Sequence, residues 1–201
     1  MKSNSKLLTI IAGIIAVLLI VVAITVSVYN TSKLKEAADA AQAKLDEMFV
    51  GLKEGNDDII FEYIGLESGS ATTEILKIFL SNLDYKVVDT TVETNKVTFK
   101  TEITNVDLNE ATQLFKNKLA EYVTQIITEK GKDISSNDIV KDLFKKIFDE
   151  KEVNMVKTTV NIVVSKDSNG NWFITDTNQK ELGNAILPNS NSVTQVTQEN
   201  Q

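Results

Sequence analysis

The chain has 201 residues, with 28 acidic residues, 21 basic residues that are all lysine, and no cysteine or histidine. These absences exclude imidazole acid–base catalysis, thiolate chemistry, disulfides, a lipidated cysteine, and bidentate recognition of phosphate by arginine. The length suits one modest domain together with an attachment segment.

The first predicted element is a membrane span. Residues 7–28 are 22 consecutive uncharged, mostly aliphatic residues, and a helix needs about 20 such residues to cross a bilayer core. They predict a transmembrane signal-anchor behind a short basic cytoplasmic leader, residues 1–6. The alternative is a cleaved signal peptide with its cleavage site near residues 21–23, although such peptides usually have a shorter apolar run of about 7–15 residues. The basic leader favours a cytoplasmic N-terminus and an extracellular C-terminal domain.

The remainder of the chain is acidic. After Ser32 it has 19 lysines and 28 acidic residues, a net charge of −9, which repels nucleic acid and anionic surfaces. We therefore predict no nucleic-acid partner. We expect an extracytoplasmic domain over residues 29–187 and a disordered polar tail over residues 188–201. The use of lysine, asparagine and isoleucine without arginine suggests an AT-rich bacterium.

The domain is predicted to begin with an amphipathic helix from Ser32 to about Glu54, because its apolar residues recur every three or four positions. They are Leu34, Ala37, Ala38, Ala41, Leu45, Met48, Phe49 and Leu52. The alanine-rich first half is expected to bury little, so residues 29–54 serve as a stalk as well as the first helix. Gly51 is expected to weaken this helix and Gly55 to end it.

Two short helices and a hairpin are predicted next. Asp57 and Asp58 favour the start of a short helix that stops at Gly65, and Ser70 is a candidate cap for another. The apolar residues then recur at every second position, which predicts strands over Tyr85–Val92 and Lys96–Val106. Residues 93–95 form the turn, and a bulge is expected near residue 89.

A two-helix excursion follows the first hairpin. Asp107 and Glu110 have the spacing of a capping box and open a helix that ends at Gly131. Ser136 or Asn137 caps the next helix, which carries three residues at helical spacing: Phe144, Ile147 and Phe148. These three are expected in the core rather than at a partner groove, while Lys141, Lys145 and Lys146 form the solvent side.

The second hairpin completes the sheet. Residues 153–166 alternate as a long strand, Asn169-Gly170 is a strong turn signal, and Trp172–Thr175 is the return strand. Asp176 is the expected cap of a last short helix, which Pro188 closes. Two antiparallel hairpins separated by helices predict an α+β domain with one four-stranded antiparallel sheet, its helices packed on one face.

This order of elements resembles the cystatin-like folds of the nuclear transport factor two superfamily. It is especially similar to uncharacterised extracytoplasmic domains of Gram-positive lipoproteins and membrane-anchored proteins. The segments that carry the likeness are residues 49–56, residues 103–108 and residues 169–174. The resemblance implies a curved sheet with a cone-shaped pocket; many members bind small ligands or dimerise, and some are enzymes. This chain lacks the lipidated cysteine, and its transmembrane helix would replace that anchor.

Candidate chemistry is sparse. The resemblance to isomerase-like members points to Asp89 as a base with Tyr85 or Tyr63 as a hydrogen-bond donor, but a surface position for Asp89 is the favoured interpretation. No catalytic residue, metal site or cofactor is therefore predicted. Trp172 is expected to pack on the core, with a role in lining a ligand pocket as the alternative.

Two acidic segments are candidate cation sites. Asp57, Asp58 and Glu62 are more typical of a solvated helix start. The segment 167–171 resembles the beginning of a calcium loop, but Trp172 and Asn178 stand where an EF-hand requires glycine and glutamate, so the hairpin turn is favoured.

The leading functional hypothesis is a membrane-anchored extracytoplasmic domain that binds a protein or a small apolar ligand and catalyses nothing. The alternatives are an isomerase-like or dehydratase-like pocket enzyme and a structural spacer in an envelope or secretion assembly. Ligand, partner and oligomeric state are not predicted.

Overall fold

The computed structural model describes residues 31–65, 68–69, 71–130, 135–150, 152–175 and 179–190. The predicted leader and signal-anchor, the caps at Ser70 and Asp176, the helix end at Gly131, and residues 191–201 of the predicted tail lie outside these residues. Within them, no helix is long and apolar enough to span a membrane. The helices are α1 (31–54), α2 (Asp57–Ile64), α3 (Ala71–Leu80), α4 (Leu108–Lys130), α5 (Ser136–Asp149) and α6 (Gln179–Ile186). The strands are β1 (Asp84–Glu93), β2 (Lys96–Val106), β3 (Met155–Lys166) and β4 (Trp172–Ile174).

The predicted α+β class and four-stranded antiparallel sheet are confirmed. The strand order is β1-β2-β3-β4, so each strand pairs with its sequence neighbour. β2 and β3 pair along their length, from Lys96 opposite Ser165 to Val106 opposite Met155. The bulge predicted near residue 89 is also confirmed, because the β1–β2 register shifts between Val87 and Asp89.

The main core lies on one face of this sheet. The alternating residues of β2 predicted to share a face are all buried there: Val97, Phe99, Thr101 and Ile103. α1 covers this face with a continuous stripe of buried side chains that runs from Ala37 to Leu52. The expectation that the alanine-rich half of α1 buries little holds for residues 31–36, which are exposed, but not for Ala37 and Ala41, which are 5% and 0% exposed. Small side chains let the helix backbone lie close to the sheet, so a low side-chain volume does not mean a low degree of burial.

The junction of α1 and α2 depends on two glycines. Gly55 has a φ of +73° and ends α1, as predicted. Gly51 lies inside the helix, and a Cβ at this position would lie only 2.7 Å from Cγ1 of Ile59 on α2, so the close packing of the two helices requires glycine here. Asn56 caps α2 by accepting hydrogen bonds from the backbone N–H groups of Asp58 and Ile59.

The excursion has a small core of its own. Phe79 of α3, Val106 of β2, Ala111 of α4 and Phe144 of α5 are buried together. Ser135, rather than the predicted Ser136 or Asn137, caps α5 by accepting from the N–H of Asp138.

Only one half of the predicted capping box forms at the start of α4. Asp107 accepts a hydrogen bond from the backbone N–H of Glu110. The Glu110 carboxylate instead accepts bonds from the backbone N–H and the side-chain amide of Asn154, at 2.7 and 3.1 Å. Glu110 therefore fastens the start of α4 to the segment that leads into β3.

The last helix closes one end of the core. Leu182, Ala185 and Ile186 of α6 are buried, as their spacing predicted. The buried amide of Asn105 on β2 donates to the carbonyl oxygen of Ile186 at 2.7 Å. Past α6, Asn189 donates to the Asp107 carboxylate at 2.7 Å, which ties residues 188–190 to the start of α4.

Candidate functional site

The helix-facing side of the sheet is filled by the protein's own side chains. Phe99 and Ile103 on β2 are at most 1% exposed, and so are Leu45 and Phe49 on α1. The cone-shaped pocket implied by the resemblance is thus occupied where the structure describes it. A ligand site must be sought at the ends or edges of the domain.

An open groove lies where α1 meets the turns of both hairpins. Its volume is about 550 Å³. The lining residues are Lys33, Leu34, Glu36, Ala37 and Ala40 from α1, Thr94 and Asn95 from the β1–β2 turn, and Lys166 and Trp172 from the second hairpin. The groove is therefore lined by both apolar and polar side chains, including two lysines and one glutamate.

The second hairpin determines the position of Trp172, the aromatic residue that lines the groove. Trp172 is the direct partner of Lys166 across β3 and β4, and the Lys166 ammonium lies 5.8 Å from the centre of the indole ring. Trp172 is partly buried and packs against the main core. The predicted packing of Trp172 on the core is therefore confirmed, and the residue also lines the groove. Its role in lining a ligand pocket stays a prediction.

The turn that orders this hairpin is built on Asp167. Its carboxylate accepts hydrogen bonds from the backbone N–H groups of Asn169 and Asn171 and from the Asn171 amide. These bonds, the one from the Asn171 backbone foremost, lower the pKa of Asp167. Gly170 adopts a φ of +92°. The segment thus forms the predicted hairpin turn, with Oδ1 of Asp167 accepting from the backbone of the turn and Oδ2 accepting from the Asn171 amide.

The structure does not bring Asp89 and Tyr85 together. Tyr85 is paired with Ile103 and faces the helices, whereas Asp89 follows the bulge opposite Lys100 and is exposed on the other face. The Asp89 carboxylate accepts a hydrogen bond from the backbone N–H of Thr90. The predicted surface position of Asp89 is confirmed.

Tyr85, on β1, forms a polar cluster with side chains of α1. No sequence pattern indicated this cluster. The Tyr85 hydroxyl donates to Oδ1 of Asp46, which also accepts from the Gln42 amide at 2.6 Å. Its ring stacks on Phe49 with centroids 4.1 Å apart and planes 10° apart. Burial and the neighbouring Asp46 raise the pKa of Tyr85. Tyr85 is therefore a structural link between α1 and β1.

Tyr63, the other tyrosine considered as a donor, lies on α2. It is partly buried and packs against the main core. Burial is the main reason that its pKa is raised, and Glu62 adds to the effect. Its position is explained by packing and requires no ligand.

Asp57 is engaged by the protein itself. Its two carboxylate oxygens contact Nζ of Lys77 and Oγ of Ser68, each at 2.7 Å. The hydrogen bond from Lys77 is the main cause that lowers the pKa of Asp57. A cation would have to displace Lys77 to reach this carboxylate. Among the described residues, no group of three or more acidic side chains is placed to hold a metal ion.

Ion pairs extend from Asp57 through Lys77 to α5. Glu74 on α3 contacts Lys77 at 3.3 Å and Lys141 at 3.2 Å. Lys141 was expected on the solvent side of the excursion, but it is partly buried and joins α5 to α3. Lys145 and Lys146 are exposed, as predicted.

The excursion lies at the opposite end of the sheet from the groove. β2 runs from the β1–β2 turn beside the groove to Val106, which leads directly into α4. Eleven residues of strand span about 35 Å. Phe144 and Ile147 are buried and Phe148 is partly buried, which confirms the predicted core role of these residues. Ile127, on the distal half of α4, is 44% exposed.

Sequence reasoning missed the groove and the roles of Lys33 and Lys166. The hairpin turn was a sufficient signal to place Lys166 beside Trp172. The approach of α1 to both turns depends on how the helix lies on the sheet, which residue spacing does not specify.

No protein-family model matches this chain, and no curated protein does. Among solved structures it is similar to that of a proposed lipoprotein, ycdA, from Bacillus subtilis, with 16% identity and a TM-score of 0.44. The similar region covers 80% of this chain and 58% of that one. The chain thus spans less than two thirds of the length of that protein. Membership of the nuclear transport factor two superfamily stays a prediction.

Proposed function

We propose that this chain is a single-pass, membrane-anchored extracytoplasmic domain that uses its α4–α5 excursion to bind a protein partner and catalyses no reaction. The observation that carries the proposal is that the start of α1 and the excursion lie at opposite ends of the sheet. The N-terminal end of the described part of α1 lies at the hairpin end of the sheet, and the excursion lies at the other end.

The anchor is supported by the apolar run and by its connection to the domain. Lys33 follows the last residue of the run, Val28, by five residues. From Ala37 onward α1 is packed into the main core. A membrane span at residues 7–28 would thus hold the hairpin end of the sheet close to the bilayer and direct the excursion away from it.

Protein binding is supported by the construction of the excursion. α4 and α5 leave the sheet between β2 and β3 and are fixed to it through the second core around Phe79 and Phe144. Their distal part leaves Ile127 exposed next to a polar surface. One exposed isoleucine is ordinary on a protein surface, so protein binding is supported by the position of this firmly attached end of the domain, far from the proposed membrane anchor.

A non-catalytic role is supported by the separation of the candidate catalytic groups. Asp89 and Tyr85 face opposite sides of β1, and Tyr85 is hydrogen-bonded to Asp46. The spacer alternative would use the alanine-rich stalk and the transmembrane helix for its contacts, whereas Ala37 and Ala41 of the stalk are buried against the domain's own core.

Site-specific photocrosslinking in the native membrane tests the proposal. A benzophenone amino acid replaces Ile127 in the full-length chain, and Thr91, exposed on β1 near the hairpin end, is the matched control position. We expect one discrete protein adduct from position 127 and none from position 91. Ile127→Asp should abolish co-purification of the same partner without changing the fold, because the side chain is exposed.

Equal adducts from both positions would contradict the assignment of the binding surface to the excursion. The lack of any adduct from position 127 would contradict protein binding by this surface.

A further inference from the structure

We infer that the groove at the hairpin end holds the anionic headgroup of a phospholipid from the bilayer that anchors the chain. The inference rests on the proposed membrane anchor and assigns a ligand class to a second surface of the domain. It follows from the location of the groove, from its lining and from the distribution of charge.

The groove opens within reach of the bilayer surface. Lys33 and Leu34 form part of its lining and lie five and six residues after Val28. Five residues span about 8 Å as a helix and at most about 17 Å when fully extended. The polar headgroup layer on each side of a bilayer is about 5–8 Å thick. The rim of the groove is therefore held at or just above the headgroups by covalent connection.

The lining suits an amphiphile better than a small soluble anion. Lys33 and Lys166 provide ammonium groups, while Leu34, Ala37 and the Trp172 ring provide apolar surface. Tryptophan is favoured at membrane interfaces because one part of its ring is apolar and its N–H is polar. Lysine extends its charge to the headgroups while its methylenes cover apolar surface.

The charge of the groove differs in sign from that of the domain. Glu36 is the acidic residue in the lining and contacts Lys33 at 3.2 Å, so two lysines and one glutamate give a net charge of +1. The chain after Ser32 carries a net charge of −9. Because an anionic surface repels the domain as a whole, contact with anionic lipid is favoured at the place where the lysines outnumber the acids.

Trp172 is the single tryptophan of the chain and reports directly on the groove. The full-length protein is reconstituted into phosphatidylcholine vesicles with or without phosphatidylglycerol, each containing a lipid that is spin-labelled at the headgroup. We expect stronger quenching of tryptophan fluorescence when phosphatidylglycerol is present. The excess quenching should be lost in a Lys33→Gln/Lys166→Gln double variant and reduced in Lys166→Gln alone.

A Lys53→Gln/Lys86→Gln variant is the matched control, because it removes one exposed lysine from α1 and one from the sheet at positions that do not line the groove. It should retain the excess quenching. Circular dichroism of each variant verifies that it is folded. We expect the double variant to fold, because Lys33 and Lys166 are exposed.

Resistance of the protein to carbonate extraction from the vesicles is measured in parallel. Loss of that resistance would contradict the membrane anchor itself. An anchored protein whose Trp172 is not quenched, is quenched equally in both lipid mixtures, or retains the excess in the double variant would overturn the lipid site alone.

Discussion

A single hydrogen atom at residue 51 permits the close approach of α1 and α2. Replacing Gly51 with alanine improves intrinsic helix propensity by about 1 kcal/mol, but the added methyl group would lie 2.7 Å from Cγ1 and 3.1 Å from Cβ of Ile59. We expect Gly51→Ala to lower the free energy of unfolding by about 1–3 kcal/mol, because a tightly packed core does not absorb an extra carbon. Urea unfolding of the detergent-solubilised chain measures this change.

Gly183→Ala is the matched control. Gly183 also lies inside a helix, α6, but no atom lies within 4 Å of an added Cβ. This substitution should be neutral or should stabilise by up to about 1 kcal/mol. Equal effects of the two substitutions would show that helix propensity, rather than contact with Ile59, governs position 51.

Tyr85 provides a second test at the residue scale. Tyr85→Phe keeps the ring that stacks on Phe49 and removes the hydroxyl that donates to Asp46. We expect a loss of about 1.5–3 kcal/mol in the free energy of unfolding at neutral pH, as for a hydrogen bond to a charged group.

The stability of the same variant should depend less on pH in the alkaline range. Because burial and Asp46 raise the pKa of Tyr85 in the folded state, the folded protein holds this proton more tightly than the unfolded chain does. The resulting stabilisation is complete below the unfolded pKa of about 10 and is lost as the pH rises above it. Unfolding curves measured below and above this pH should show that the free energy of unfolding falls less for Tyr85→Phe than for the native chain. Parallel losses would contradict a raised pKa of Tyr85 in the folded state.

At the scale of the element, the excursion depends on a cluster of phenylalanines. The Phe144 ring lies 4.5 Å from Phe115, 5.2 Å from Phe79 and 6.2 Å from Phe148, measured between centroids. We expect Phe144→Ala to cost about 3–5 kcal/mol and to increase amide exchange in α5 more than in β2. Phe61→Ala, at a position 58% exposed, should change the stability by no more than about 0.5 kcal/mol. Equal acceleration of exchange in β2 and α5 would contradict a separate core.

The ion pairs among α2, α3 and α5 predict sensitivity to acid. Hydrogen bonds from Lys77 to Asp57, and from Lys141 and Lys77 to Glu74, lower the pKa of both carboxyl groups. Their stabilisation is present above the unfolded pKa values of about 4 and is lost as the pH falls through the lower folded values. The melting temperature of Asp57→Asn should therefore fall less steeply with acidification than that of the native chain.

The neighbouring Asp58 is exposed and provides the control for this measurement. Asp58→Asn should retain the acid dependence of the native chain. If both variants flattened the profile equally, the effect would come from net charge and not from the contact with Lys77.

The elements themselves followed from local patterns. β2 was predictable because its alternating residues face one core, and both hairpins were predictable from short turns. The burial of Ala37 and Ala41 on α1 was not predictable, because composition reports how large a side chain is and not how closely a sheet approaches it. The contact of Glu110 with Asn154 replaced a local capping bond with one between residues 44 positions apart, which no local pattern contains.

On the scale of the whole molecule, two consecutive hairpins were enough to predict the sheet. The groove could not be predicted in the same way, since it requires Lys33 and Trp172 to meet from distant parts of the chain. The polarity of the domain also depends on the direction in which α1 crosses the sheet. Phe49 stacked on Tyr85 and Ala37 beside the hairpin turns establish that direction.

The proposed function requires a lipid-embedded N-terminus with the folded domain outside the cell. Since the chain has no cysteine, Ser168→Cys on the exposed β3–β4 turn and Ser3→Cys in the leader create single labelling sites. A membrane-impermeant maleimide applied to intact cells should label residue 168 and leave residue 3 unlabelled until lysis, with the full-length chain in the membrane fraction after carbonate washing. Labelling of residue 168 only after lysis, or recovery of the full-length chain in the aqueous fraction, would contradict the account.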